Sequence, residues 1–340
     1  MEAGDMGPTL KVNLDLIRGN TAQVVDLALE KGIDIWGVTK GARGDKKVGK
    51  AMLDGGVKGL ADSRLSNLRR LSELETDLML LRIPALSEVK EVIELVDISL
   101  NSEVEVIKAL NKAAARKNKI HKVILMVDMG DRREGILPSD LLFAVREVKS
   151  LSNIDLAGIG TNLACFRGVV PDQEMVNQFG SKVEECRKQL DVDLEFITAG
   201  NSSSLPLLLA DGFKPVSNCY RIGETILLGT EVPGGDKFPL TDRNTFILEA
   251  EVIEIKEKPP SQRAILALGR QDIIPQGLNI INKEATIVDA SSDHLVVEVD
   301  RKIDLKLGAK LQFKLSYAAL LRAVTSPYVR KEYKGDSNGS

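Results

Sequence analysis

Apolar and polar positions along the chain follow two alternating periods. Short apolar runs of strand length recur at 35–39, 59–62, 78–82, 97–100, 122–128, 156–161, 195–198 and 220–228. Between most of them the apolar residues return at helical spacing, as at 102–117, where Val104, Ile107, Leu110 and Ala114 share a face. Eight strands alternating with helices predict an α/β fold, a (β/α)8 TIM-like barrel. A further alternating strand at 10–16 precedes them, followed by a helix to about Lys31. Turn and cap residues such as Asp62-Ser63, Asn101-Ser102 and Asn201-Ser202 follow the strands. Loops of this kind converge on one face of a barrel, where its chemistry sits.

The texture changes after Gly229. Residues 232–239 are rich in proline and glycine and read as a linker. Beyond them, segments at 245–255, 263–268, 284–288, 294–300 and 310–315 have strand patterning and few helix signals. The predicted organisation is a barrel over 10–232 and a smaller, mainly antiparallel β domain over 233–333. The strand at 9–16 is free to pair with that second domain, and 334–340 reads as a disordered tail.

Composition narrows the class. A chain of 340 residues, 43% hydrophobic and 28% charged, suits a globular enzyme with a large core. A net charge of -3 gives no reason to expect nucleic acid or an anionic membrane as partner. No run reaches the roughly 20 apolar residues of a membrane span. The N-terminus has neither the basic nor the apolar region of a signal peptide. Cys165, Cys186 and Cys219 lack C-x-x-C spacing, and the histidines are only His121 and His294. Free thiols in a cytoplasmic setting, with no disulfide framework and no metal centre, are the expectation.

Candidate chemistry starts at Lys40, which ends the apolar run Ile-Asp-Ile-Trp-Gly-Val-Thr and is followed by Gly41. A lysine partly desolvated at a strand end has an amine available for Schiff-base chemistry. Taken alone, it is more simply one half of a surface ion pair; partners further along change the reading. The loop Asp128-Met-Gly-Asp-Arg-Arg-Glu-Gly135 offers a guanidinium fork for a carboxylate. The run Gly200-Asn-Ser-Ser-Ser204 offers hydroxyls and amides to a phosphate, or an ordinary helix cap. Arg221, within Tyr-Arg-Ile-Gly-Glu, points into the barrel mouth and needs a partner there. Ser326-Pro-Tyr328 returns a hydroxyl from the second domain.

Together these motifs resemble the fold-type III pyridoxal-phosphate enzymes, above all the alanine racemase family, over residues 9–328. The segments Gly-Asp-Arg-Arg-Glu-Gly-Ile, Gly-Thr-Asn-Leu-Ala-Cys and Ser-Pro-Tyr-Val resemble its alanine/ornithine racemase branch. The resemblance implies pyridoxal 5'-phosphate as cofactor and interconversion of L- and D-amino acids. It implies Lys40 as the cofactor-bearing base, with Asn201, Ser202, Gly223, Glu224 and Tyr328 at the phosphate. Arg221 would face the ring nitrogen, Asn162 would stand beside the ring, and Arg133 would orient the substrate carboxylate. A homodimer with shared active sites is also implied.

Two departures stand out. The family's catalytic tyrosine position holds Arg270, in Leu-Gly-Arg-Gln-Asp272, and its ring-side histidine is Asn162. An arginine, with a pKa above about 12, is a poor base. Cys165, Cys219, Asp272, Tyr220 and Tyr317 are unranked candidates for the second base. Arg270 and Asp272 join the substrate-contact set. Asp131 and Glu134 make the arginine loop acidic, which favours a substrate with a distal ammonium, ornithine or lysine, over alanine. The alternatives are a non-catalytic pyridoxal-phosphate carrier and a fold-type III lyase or decarboxylase. The β domain weighs against the first, and Arg221, where decarboxylases place a carboxylate, against the second.

Overall fold

The computed structural model describes residues 7–163, 170–232, 234–259, 261–281, 285–300 and 304–335. Eight parallel strands form one sheet: β2 (Asp34–Val38), β3 (Gly59–Asp62), β4 (Leu78–Leu80), β5 (Ile98–Asn101), β6 (His121–Val127), β7 (Ile154–Thr161), β8 (Phe196–Thr198) and β9 (Cys219–Ile222). They follow β1 (Thr9–Asn13) in the chain. Their order is β8-β7-β6-β5-β4-β3-β2-β9, and the Gly200–Tyr220 bridge closes the ring between β8 and β9. The interior is packed rather than hollow. Trp36, Ala61, Met79, Ile98, Ile124, Met126, Ala157 and Phe196 fill it, with the Trp36 and Phe196 rings edge to face at 6.1 Å. Helices cover the outside; Val104–Arg116 turns Val106, Ile107, Leu110 and Ala114 to the core.

The second sheet comprises β10 (Phe246–Lys258), β11 (Ser261–Leu266), β12 (Leu278–Ile280), β13 (Ala285–Ala290), β14 (Leu295–Val299) and β15 (Lys310–Leu315), and it is antiparallel throughout that path. β1 pairs antiparallel with β10 and parallel with β16 (Arg330–Lys334). The chain's first strand is thus held between the second domain's longest strand and the C-terminus.

Several elements depart from the pattern-based reading. The apolar run 220–228 is strand only to Ile222; after Gly223 it becomes the helix Glu224–Leu228. Short apolar runs read alike in either state, and the chain must turn outward at a strand end. β1 stops at Asn13, whose side chain accepts the Leu16 N–H at 3.2 Å and caps a helix from Leu14. The 232–239 stretch is no loose connector: Thr230 bridges Lys237, and Phe238 is buried. β16 takes in Lys334, at the start of the charged C-terminal stretch, while 336–340 fall outside the described residues.

Candidate active site

A cavity of about 520 Å³ opens at the carboxyl ends of the barrel strands. Its wall includes Lys40, Arg133, Glu134, Asn162, Asn201, Ser202, Arg221, Gly223 and Glu224, which sequence reasoning assigned to one site. Ser63, Arg82, Val232 and Tyr317 line it too, and no site role was read for the first three. Its size lies within the range for a small-molecule site.

Lys40 begins a single 3-10 turn, Lys40–Ala42, where β2 ends. The turn is anchored one residue earlier. Thr39 is fully buried, and its hydroxyl donates to the Asp62 carboxylate at 2.8 Å. Asp62, at the end of β3, also accepts from Asn67 at 3.0 Å and from the Arg64 N–H at 3.0 Å. Burial pushes the Asp62 carboxyl upward, and these donors partly offset that cost. Gly41 sits in a tight space: a Cβ there would lie 2.7 Å from Leu227 Cδ1 and 3.0 Å from the Tyr317 ring, so both side chains would have to shift.

Arg221 forms the floor. It is 5% exposed, donating through Nε to Thr198 Oγ1 at 3.0 Å and through Nη2 to the Thr161 carbonyl at 2.7 Å. In the β2–β9 register Arg221 pairs with Trp36, so the turn carrying Lys40 and the strand carrying Arg221 are neighbours at one mouth. Beside it, Asn201 caps the Ser202–Ser204 turn, accepting from the Ser203 N–H at 2.8 Å and donating to Leu163 O at 2.6 Å. Ser202 Oγ accepts the Thr225 N–H at 3.3 Å, tying this turn to the helix after Gly223. A Cβ on Gly223 would stand 3.0 Å from Val38, so glycine eases the close approach of this backbone to β2.

Across the mouth, Arg133 forks onto Glu134 (Nε–Oε2 2.5 Å, Nη2–Oε1 2.6 Å), and Asn162 also donates to Oε1. Glu224 carries the opposite electrostatics from a surface acid. Burial raises its carboxyl pKa, with Thr230 and the Lys40 charge pulling the other way.

Other assigned residues stand elsewhere. Tyr328 is 61% exposed and outside the cavity; Tyr317, whose ring packs over Gly41, occupies the wall instead. The Ser-Pro turn explains the difference: Ser326 Oγ accepts the Tyr328 N–H and points that side chain outward. Asp131 is buried behind the loop, 3.7 Å from Arg133 Nε, and does not reach the cavity. Asp272 is buried in the second domain, accepting from Ser326 Oγ at 2.7 Å and the Gly269 N–H at 3.3 Å, which makes it a turn-holding group. Arg270 also lies away from this subunit's cavity, held by Ala290 O at 2.7 Å and Asp289 at 2.6 Å. Cys219 and Tyr220 are buried and neither lines the cavity, and burial pushes the thiol and the phenol each up to about 12. Cys165 lies outside the described residues. The signal for Tyr317 was its place directly after Ser316, which caps the helix Tyr317–Thr325 by accepting the Ala319 N–H.

A lysine and a buried arginine at the mouth of a parallel barrel, joined to a separate antiparallel sheet, define a fold-type III architecture. Comparison with known proteins agrees. Residues 12–230 match the family model described as alanine racemase, N-terminal domain. The chain is 36% identical to the ornithine racemase of Acetoanaerobium sticklandii, covering 96% of this chain and 99% of that one. It is 34% identical to the lysine racemase of Thermotoga maritima, covering 96% and 98%. Among solved structures, the alanine racemase of Streptomyces lavendulae superposes with a TM-score of 0.81 at 17% identity, covering 97% of both chains. The chain belongs to the alanine racemase family and is an amino-acid racemase.

Proposed function

We propose that this racemase works with pyridoxal 5'-phosphate on a basic amino acid, ornithine or lysine. The observation that carries the cofactor reading is the meeting in one cavity of Lys40, in the turn that ends β2, and Arg221, on the paired strand β9. The residues present fit that group. Lys40 supplies the amine that holds it, and the buried Arg221 guanidinium meets a ring nitrogen without giving up its proton. Ser202, Gly223, Glu224 and Tyr317 line the same cavity, and the Ser202 and Tyr317 hydroxyls and the amides at Gly223 and Glu224 would hold its phosphate; Asn162 and Asn201 complete the wall. When bound, the cofactor supplies an electron sink at the substrate α-carbon. Lys40 takes or returns the α-proton on its side, and Arg133 orients the substrate carboxylate.

The substrate class rests on the ornithine and lysine racemases similar to this chain and on two carboxylates in the wall, Glu134 and Glu224. A distal ammonium finds a charge partner there, which the methyl group of alanine does not need. The proposal extends to a cytoplasmic homodimer in which the second domain, with Arg270, reaches the partner's barrel mouth. It extends also to functional units of 10–232 and 233–333, with the strand Thr9–Asn13 pairing into the second unit's sheet. Among the described residues no helix is long and apolar enough to cross a membrane.

The test is chiral chromatography of L-ornithine, L-lysine and L-alanine incubated with the protein, alongside its visible absorption. Racemisation of the basic amino acids above alanine, and loss of both the absorption band and activity in Lys40→Ala, is the expected result. A Lys40→Ala protein that racemises at the wild-type rate overturns the cofactor reading. Initial rates on alanine well above the other two overturn the substrate reading.

A further inference from the structure

Racemisation in both directions needs a proton-exchanging group on each side of the α-carbon, and Lys40 serves one. Position 270 holds an arginine, which does not exchange protons near neutrality and whose fork is engaged with Ala290 and Asp289. Among the described residues of the cavity wall, the remaining side chains with suitable chemistry are Glu134, Glu224 and Tyr317. Two of these sit on the lysine's side. Tyr317 packs over Gly41, and Glu224 follows β9, which pairs with β2, and feels the Lys40 charge. Glu134 follows β6. In the eight-strand ring β6 lies four strands from β2 in either direction, so Glu134 faces Lys40 across the mouth.

We propose that Glu134 is the second acid–base group, acting on the face of the α-carbon opposite Lys40; this rests on the Lys40 reading above. Arg133 and Asn162 fix its orientation: Oε1 accepts from both, while Oε2 accepts from Arg133 alone and keeps a lone pair for a proton. Arg133 is shared. When a substrate carboxylate draws the guanidinium away, the Asn162 bond still holds Oε1 and leaves Oε2 facing the substrate. In one direction Lys40 takes the α-proton and protonated Glu134 gives its own to the opposite side; the electron pair of the broken C–H bond makes the new one. The reverse direction exchanges the roles, and water resets both groups. Glu224 then remains as the partner for a distal ammonium.

The experiment follows L- and D-ornithine in deuterium oxide by proton NMR and chiral chromatography, using the cofactor-loaded protein. In Glu134→Gln, cofactor absorption is retained and racemisation falls about 100-fold or more. One enantiomer continues to exchange its α-proton for deuterium with its configuration kept, the signature of a single remaining base. Racemisation within about threefold of wild type, or equal loss of exchange from both enantiomers, overturns the proposal. If Glu134→Gln does not hold the cofactor, Glu134→Asp decides. A shortened acid–base group changes the ratio of the two exchange rates, whereas an unchanged ratio overturns the assignment. Wild-type protein that exchanges neither enantiomer, of ornithine, lysine or alanine, locates the failure in the racemase reading instead.

Discussion

Tyr333 donates its hydroxyl to the Asp45 carboxylate at 2.5 Å, joining the C-terminal strand to the helix that follows the Lys40 turn. Lys331 adds a second bond to the same oxygen at 2.8 Å, and the Lys47 ammonium lies 4.5 Å over the Tyr333 ring. Asp45 meanwhile caps its own helix by accepting the Lys47 and Val48 N–H groups at 3.1 and 3.3 Å. One carboxylate therefore holds the lysine loop, the helix start and the second domain together. Asp45→Ala removes the cap and strands a half-buried ammonium, at a cost of about 3 kcal/mol. Tyr333→Phe costs about 1 kcal/mol. Urea unfolding of the two variants beside wild type measures both.

The same carboxylate contributes to stability in acid. Burial alone would raise its pKa, but the Lys331 charge and the bonds from Lys331 and Tyr333 outweigh burial and hold it below 3.8. A folded-state pKa depressed in this way gives stability that is present above the unfolded value and lost as pH falls through the folded one. His121 acts at higher pH. Its ring shares a 2.8 Å bond with Ser99 Oγ, and burial lowers its pKa from 6.5 to about 4. The unfolded chain thus binds the extra proton between those values, and stability rises with pH across that window by an amount on the order of 3 kcal/mol. Unfolding free energies from pH 4 to 7 should show the slope in wild type, and it should flatten in His121→Gln.

Gly200 lies where β8 and β9 close the barrel, and a Cβ there would stand 2.0 Å from the buried Tyr220 ring. Gly200→Ala forces that ring, and the strand bearing Arg221, out of place. The expected outcome is a loss of about 1–3 kcal/mol in stability with weaker cofactor retention, read by thermal unfolding and by dialysis against buffer without cofactor.

Much of this fold and site is written in local pattern. The barrel strands are apolar on both sides of the sheet and bounded by turn residues, so β2 to β9 stand out; the motifs at Lys40, Asn201-Ser202 and Arg221-x-Gly223 mark strand ends directly. What stayed hidden depended on tertiary context. The sequence Arg-Lys-Glu-Tyr-Lys of β16 is too charged to carry a strand pattern, and its pairing with β1 is what makes it a strand. Thr-Ile-Leu-Leu after Glu224 is apolar in either conformation. Thr39 and Asp62 form their anchor across neighbouring strands, a contact no spacing in sequence announces. Tyr317 was obscured by the more conspicuous Ser-Pro-Tyr turn eleven residues on, whose tyrosine faces outward.

The two tyrosines separate cleanly by experiment. Tyr317 lines the cavity with its ring against Gly41, which follows Lys40, and Gly41 also touches Leu227 of the helix that opens at the proposed phosphate place. A hydroxyl donating to a phosphate is a charge-assisted bond, and losing it costs about 1.5–3 kcal/mol. Tyr317→Phe should therefore weaken pyridoxal-phosphate binding by about tenfold to a hundredfold. Tyr328, 61% exposed and reached by Ser326 only through its backbone N–H, should tolerate the same change without effect on cofactor affinity. Fluorescence titration of each apoprotein with the cofactor makes the comparison. Equal weakening in both variants, or weakening in Tyr328→Phe alone, would return the phosphate contact to the outward-facing turn.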